Sequence, residues 1–375
     1  MGNRALLGTA DVTDEHLARM VAELLRVDTA DLADVCVEEV VYDIPAITTA
    51  SRHWVSGSAR TRAGTQPWRL FVKHIQAWQR HPLFQHVPEE FRELASAGVP
   101  WRTEAEVYRS DLAERLPAGL TMPRALDVID LDDLSAAIWI EAVSVRDVEW
   151  DVERYRRAAY LVGRLAASPA VAPLASLRDV EWNLGIYESG RLRVQVVPML
   201  MSDEIWQHPL CSAFDPELRD RMRAAAARAA DLAAEGDALP WLSSHGDACP
   251  NNLLDDGSDD LVLIDFGYWG AAPVGFDLQC LLVGDVQIGK RSASTLAEID
   301  ETIVPAYVEG LRAEGCDIPE VVVRRAHAIR SLLMTGLSTV PFDLFEAPMN
   351  DETMRIAADR ALIARYCLDQ VDATA

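Results

Sequence analysis

The sequence predicts an α+β chain in which strands come first and helices follow. Two observations carry this. Strand-type runs at 36–44, 47–75 and 136–141 all fall before residue 142. Beyond them, the Ala- and Arg-rich segments 152–167 and 216–234 place apolar residues at helical spacing. A third observation is local. Leu253-Leu254 and Leu261-Val262-Leu263-Ile264 flank Asp255-Asp256-Gly257-Ser258-Asp259-Asp260, which is turn chemistry, so a late hairpin interrupts the helical half. The 375 residues, 50% of them hydrophobic, suffice for two lobes or one large domain.

The elements follow in order. Thr13 before Asp14 and Glu15 signals a helix start, and Leu17, Met20, Val21, Leu24 and Leu25 supply its apolar stripe. Cys36 to Ile44 reads as a strand that Pro45 would end. Ile47 to Ile75 reads as a hairpin whose turn region lies within 51–64, where Ser56, Gly57 and Ser58 offer small side chains and backbone N–H groups to an anion. A plain hairpin turn explains that stretch equally well. Glu104 to Arg115 reads as a helix with Ala105, Tyr108 and Leu112 on one face, and Ala136 to Glu141 as a further strand. Ser292–Leu311 and Glu320–Thr335 read as closing helices.

The chemistry concentrates in His245-Gly246-Asp247-Ala248-Cys249-Pro250-Asn251-Asn252 and in Ile264-Asp265-Phe266-Gly267. Asp247 could take the proton of an attacking hydroxyl. Asn252 and Asp265 are oxygen ligands of the kind that Mg²⁺ prefers, and a hairpin between them would return Asp265 towards Asn252. Upstream, Trp68 to Ile75 reads as a strand carrying Lys73. Lysine is rare here: Lys73 and Lys290 are the only two among 35 basic residues. A compact ammonium suits phosphate oxygens in a way that a guanidinium does not, although a lysine snorkelling at a strand edge has the same local sequence. No G-x-G-x-x-G and no P-loop motif occurs.

His-Gly-Asp, four residues, Asn, then Ile-Asp-Phe-Gly resembles the catalytic and metal loops of the aminoglycoside phosphotransferase and choline kinase family, which is similar in fold to protein kinases. The resemblance implies a bilobal, protein-kinase-like fold: a small nucleotide-binding N-lobe over 1–141, with an antiparallel sheet and a helical N-terminal extension, and a larger, mainly helical catalytic and substrate-binding C-lobe over 142–375, the strand at 136–141 ending at the hinge. It implies Asp247 as catalytic residue, Asn252 and Asp265 as Mg²⁺ ligands, and ATP or GTP as co-substrate. It further implies Lys73 on the phosphates, held by Glu104, the first residue of an E-x-x-x-Y pattern, with Glu106 the weaker candidate. Ser56, Gly57 and Ser58 would cover the nucleotide, and backbone groups from Glu141 to Val143 would meet its base. Asp277, in Gly275-Phe276-Asp277-Leu278, would brace the catalytic loop. Ala248, Cys249 and Asn251 depart from residues common in that loop and touch its packing rather than its chemistry.

Charge and composition narrow the partners. A net charge of −24 argues against a nucleic-acid partner and permits a cationic small-molecule acceptor. No apolar run is long enough to span a bilayer, and Met1 to Gly8 begins no secretory leader or myristoylation signal. The six cysteines are dispersed without C-x-x-C spacing, which points to a reduced, cytoplasmic setting, and Cys249 reads as a loop spacer. The expected activity is phosphoryl transfer to a hydroxyl of a small metabolite such as an antibiotic. Asp203, Glu204, Trp206, Trp269, Asp285 and the 342–346 stretch are candidates to line the acceptor site. Two rivals are a nucleotide-binding scaffold without transfer, and a nucleotidyl transferase on the same fold. The five-residue echo of 146–150 at 178–182 is too short for a repeat architecture.

Overall fold

The computed structural model describes residues 3–41 and 46–375. The expected end of the first strand, at Ile44 and Pro45, lies outside the described residues. The chain divides into two units: the first holds Met1–Asp147, Leu177–Val180 and Asp255–Trp269, the second Val148–Ser176, Glu181–Leu254 and Gly270–Ala375. Among the described residues no helix is long and apolar enough to cross a membrane.

The first unit is built on a five-stranded antiparallel sheet. Its strands are β1 (Asp31–Glu39), β2 (Thr49–Thr61), β3 (Gly64–Gln76), β5 (Ala125–Asp132) and β6 (Ser135–Glu141), in the order β1-β2-β3-β6-β5. The short β4 (Leu120–Thr121) lies apart from it and pairs in parallel with Leu261–Leu263. Helix α1 (Asp14–Leu24) starts where Thr13 accepts from the His16 N–H. It buries Leu17, Met20 and Val21 against one face of the sheet, on Leu70, Val72, Ala137 and Trp139. Side chains alternate along a strand, so Lys73 and its cross-strand partner Ile138 take the other face. Helix α2 (Thr103–Arg109) packs with β5 and β6.

Three expectations need correction here. Strand β1 begins five residues earlier than expected, because the long β2 offers partners as far as Arg60, and a bulge near Asp34 (φ 53°) absorbs the register shift. The helix expected over 104–115 breaks after Arg109. The Ser110 hydroxyl donates to the Val107 carbonyl and accepts from the Leu112 N–H, and this local bonding competes with the helix ladder. Ser56, Gly57 and Ser58 do not form a turn. They lie inside β2, opposite Arg69, Trp68 and Pro67 of β3, while the chain reverses at Arg62-Ala63. Gly57 is needed there because a Cβ would meet the Ala33 carbonyl and the Trp68 ring, each at 2.9 Å.

The second unit is mainly helical: α3 (Val152–Ala167), α4 (Pro216–Ala227), α5 (Ala229–Asp237), α6 (Phe276–Gln287), α7 (Leu296–Ala313), α8 (Glu320–Met334) and α9 (Asp351–Ala373). Helix α3 spans the expected residues, whereas the segment expected at 216–234 is split at Arg228. Helices α3 and α7 approach closely because each is notched by glycine. A Cβ on Gly163 would meet the Tyr307 carbonyl at 2.2 Å, and one on Gly310 the Tyr160 carbonyl at 2.1 Å. The strand Trp241–Ser244, which leads into the His-Gly-Asp segment, pairs antiparallel with Gly270–Pro273.

Candidate active site

In the first unit, Lys73 stands where β3 runs beneath α2. Its Nζ donates to Glu104 Oε2 at 2.6 Å and to Asp265 Oδ1 at 2.9 Å. Lys73 and Glu104 are buried, while Asp265 keeps 39% of its side chain exposed. Burial by itself would disfavour the ammonium, but the Asp265 and Glu104 carboxylates outweigh it and hold the Lys73 pKa above its ordinary value. Burial pushes the Glu104 carboxyl up, and Lys73 opposes it. Glu106 instead pairs with Arg102 and Arg109 on its own helix.

Asp265 adopts a left-handed backbone (φ 63°, ψ 65°), uncommon for a residue with a Cβ. Its neighbours fix the segment. Phe266 is fully buried and meets Tyr108 of α2 edge to face at 5.7 Å, so the helix that carries Glu104 also packs on the residue after Asp265.

A cleft of about 280 Å³ opens in the same unit, lined by the apolar Met122, Pro123, Ala142, Val143 and Val262 and by the polar Thr121, Glu141, Ser144 and Asp256. The Glu141 carboxylate is engaged: it accepts from the Arg124 N–H at 2.9 Å. The cleft thus offers a planar ligand both apolar and polar side chains, and the backbone beyond β6.

In the second unit, the His-Gly-Asp segment is held from below. Asp277, in the first turn of α6, accepts from the His245 N–H at 3.0 Å and from the Gly246 N–H at 2.7 Å. Gly246 (φ 86°) makes the sharp turn, and His245 is fully buried. Asn252 Nδ2 donates to the Asp247 carbonyl at 2.9 Å and to Asp247 Oδ2 at 3.0 Å, which orients that carboxylate. The small residues of the loop have a packing cause. A Cβ on Gly284 of α6 would sit 2.9 Å from Cys249 Cβ and 3.2 Å from Pro250 Cδ, so helix and loop are already in contact. This fits Cys249 as a spacer.

Asn252 commits its amide nitrogen to Asp247, so its Oδ1 is an oxygen of the kind that a hard divalent cation takes. In the first unit, the Asp265 carboxylate is a donor of the same hard-oxygen kind.

Several candidates for the acceptor site have other partners. Trp206 and Trp269 are core residues: the Trp206 indole donates to the Leu200 carbonyl at 2.9 Å, and Trp269 packs on Phe266. Asp285 is buried and accepts from Tyr155 Oη at 3.1 Å, while Asp203 pairs with Arg223 at the surface. Phe345 stacks on His208 at 4.0 Å. Lys290 is less detached than its sequence implies, since its Nζ donates to Asn251 Oδ1 in the catalytic loop at 2.9 Å.

Two groups escaped the sequence reading. Arg330 of α8 is buried beside the loop's support, with its guanidinium over the Phe276 ring at 3.0 Å and Nη2 at 3.4 Å from Cys280 Sγ. Burial lowers its pKa. The other group is Arg178-Asp179, whose partners are 76 to 91 residues distant in sequence.

Comparison with known proteins bears on the family and the fold. The family model described as "Phosphotransferase enzyme family" matches residues 99–316, more than half of the chain. No curated protein matches. Among solved structures, an aminoglycoside phosphotransferase from Alicyclobacillus acidocaldarius is similar at 15% identity and a TM-score of 0.50, covering 89% of this chain and 96% of its own. A macrolide 2'-phosphotransferase from Brachybacterium faecium is similar at 18% identity and a TM-score of 0.43, covering 92% and 97%. The first of these likenesses bears on the fold, which is the expected α+β, protein-kinase-like one.

Proposed function

The chain belongs to the phosphotransferase enzyme family, and from that premise we propose that it is a Mg²⁺-dependent small-molecule kinase. It moves the γ-phosphoryl of ATP or GTP to a hydroxyl of a small metabolite such as an antibiotic. The observation that carries this reading is the buried Lys73 ammonium, held at once by Glu104 and Asp265. An ammonium so fixed is a rigid clamp for phosphate oxygens, and positioning is most of what a loose phosphoryl transition state requires.

Each residue has a task. Lys73, held by Glu104, orients the α- and β-phosphates. The nucleotide's base lies in the cleft beside Glu141 and Val143 and bonds to backbone groups. Asp265 and Asn252 would hold Mg²⁺, which when bound would supply charge neutralisation on the phosphate oxygens. Asp247, its carboxylate oriented by Asn252, receives the acceptor hydroxyl's hydrogen bond and takes its proton late in transfer. Ser56, Gly57 and Ser58 have no place here, being committed to the sheet. The net charge of −24 favours a cationic over an anionic acceptor and disfavours nucleic acid. The dispersed cysteines, without C-x-x-C spacing, are those of a reducing, cytoplasmic setting.

The test is nucleoside diphosphate release over a panel of hydroxylated metabolites, with mass spectrometry of the product. A product heavier by one phosphoryl group supports the reading. A product heavier by a nucleotidyl group, or nucleotide binding without transfer to any acceptor, would replace it with one of its rivals.

A further inference from the structure

The pentapeptide Arg-Asp-Val-Glu-Trp occurs at 146–150 and again at 178–182, and the arginines of both copies hold the segment that carries Asp265. Arg146 grips the start of that segment. Its Nε donates to Asp255 Oδ1 at 2.8 Å and its backbone N–H to the Asp255 carbonyl at 2.8 Å. Arg178 grips the end: Nε donates to the Trp269 carbonyl at 3.1 Å and Nη2 to the Tyr268 carbonyl at 3.0 Å.

Asp179 extends the grip to a second element. Its carboxylate accepts from the Arg102 N–H at 3.0 Å and from the Thr103 hydroxyl at 2.5 Å. Thr103 is fully buried and directly precedes Glu104. Leu177–Val180 thus belong to the first unit, although the chain on either side of them belongs to the second. One dipeptide therefore ties down the helix that presents Glu104 and the turn that follows Asp265.

Lys73 can be clamped only if two carboxylates distant in sequence reach one nitrogen together. Asp265 does so from a left-handed backbone, which a residue with a Cβ keeps only where its surroundings over-determine it. The geometry points to Arg178 and Asp179 as positioning residues of the transfer reaction: a strap that sets Glu104 and Asp265 against Lys73, with Arg146 anchoring the far end of the Asp265 segment. The inference rests on the reading under Proposed function.

The experiment uses the full chain and a fluorescent ATP analogue titrated with Mg²⁺, beside melting temperatures. The variants are Arg178→Ala, Arg178→Lys and Asp179→Asn. Arg156→Ala is the control, because Arg156 is exposed on α3, pairs there with Glu153 and lies outside the strap. The strap predicts that Arg178→Ala and Asp179→Asn each raise the Mg²⁺ concentration for half-maximal binding about tenfold, the scale of a lost charge-assisted hydrogen bond. Arg178→Lys should recover part of it, and Arg156→Ala should match wild type. Wild-type Mg²⁺ dependence in folded Arg178→Ala and Asp179→Asn, with only the melting temperature lowered, would overturn the inference. Should Arg178→Ala fail to fold, Asp179→Asn decides alone, since its amide oxygen still accepts from Arg102. If the wild type binds no nucleotide with Mg²⁺, the kinase reading falls first and the strap's catalytic role falls with it.

Discussion

Replacing Lys73 by Met should destabilise the protein in a pH-dependent way. The substitution removes the ammonium that Glu104 meets at 2.6 Å and leaves that carboxylate 5% exposed. Breaking a buried ion pair from one side costs about 3–5 kcal/mol. Glu104 can escape part of this by binding a proton, because burial pushes its pKa up and the lysine that opposed the rise is gone. The sign follows from linkage. A carboxyl whose folded pKa exceeds its unfolded value is best tolerated below the unfolded value, and stability falls as the pH climbs towards the folded one. The penalty of Lys73→Met should therefore be smaller at pH 5 than at pH 8. A difference of about 1–3 kcal/mol corresponds to one or two units of pKa and moves the melting temperature by roughly 2–4 °C per kcal/mol. Scanning calorimetry of variant and wild type at both pH values isolates the effect, since the wild type cancels titrations elsewhere. An equal penalty at both, or a larger one at pH 5, would refute the claim that Glu104 depends on Lys73.

The remaining predictions concern the reaction and the helix packing. Lys73→Arg keeps the charge, yet its planar fork does not fit the seat between Glu104 and Asp265, so Mg²⁺-nucleotide turnover should drop about two to three decades. Arg156→Lys is the proper control, because Lys290 touches the catalytic loop through Asn251. Asp247→Asn should lower transfer by about two to four decades while nucleotide affinity stays, and near wild-type turnover in the folded variant would remove Asp247 from the base role. Asp265→Ala should abolish Mg²⁺-dependent nucleotide binding and Asn252→Ala should weaken it less, as a carboxylate brings a full charge and an amide a dipole; titrations showing the reverse order would count against the pair. Gly163→Ala should cost about 1–3 kcal/mol from overpacking, because its Cβ would meet the Tyr307 carbonyl at 2.2 Å, and calorimetry would show a lowered melting temperature with nucleotide binding intact.

What the sequence disclosed was local or motif-borne. Thr13 marked the start of α1 because an N-cap bonds three residues ahead, within reach of a single-chain reading. Lys73 stood out through composition, and Asp247, Asn252 and Asp265 through spacing. The Ser56–Ser58 misreading has a clear cause. Small residues look alike in a turn and in a crowded strand, and only the Trp68 ring, eleven residues on from Gly57, settles which this is. Strand β5 alternates only at its end, its first five residues being half-buried alike, so its period was faint. The grip of Arg178 on Tyr268 and Trp269 was out of reach, since nothing local to an arginine announces a carbonyl 90 residues away.

The parallel pairing of Leu120–Thr121 with Leu261–Leu263 bears on the order in which the protein can be made. The first unit is not finished when its first 147 residues are. It takes four residues from 177–180 and then waits for 255–269, so nascent chain emerging from a ribosome must hold β4 unpaired, with Lys73 lacking Asp265, until helices α3, α4 and α5 of the second unit have been synthesised. A fragment ending at Asp147 should accordingly be prone to aggregate when expressed alone. Supplying 148–375 as a second chain should rescue it better than any N-terminal extension, and the nucleotide clamp should be among the last features to form.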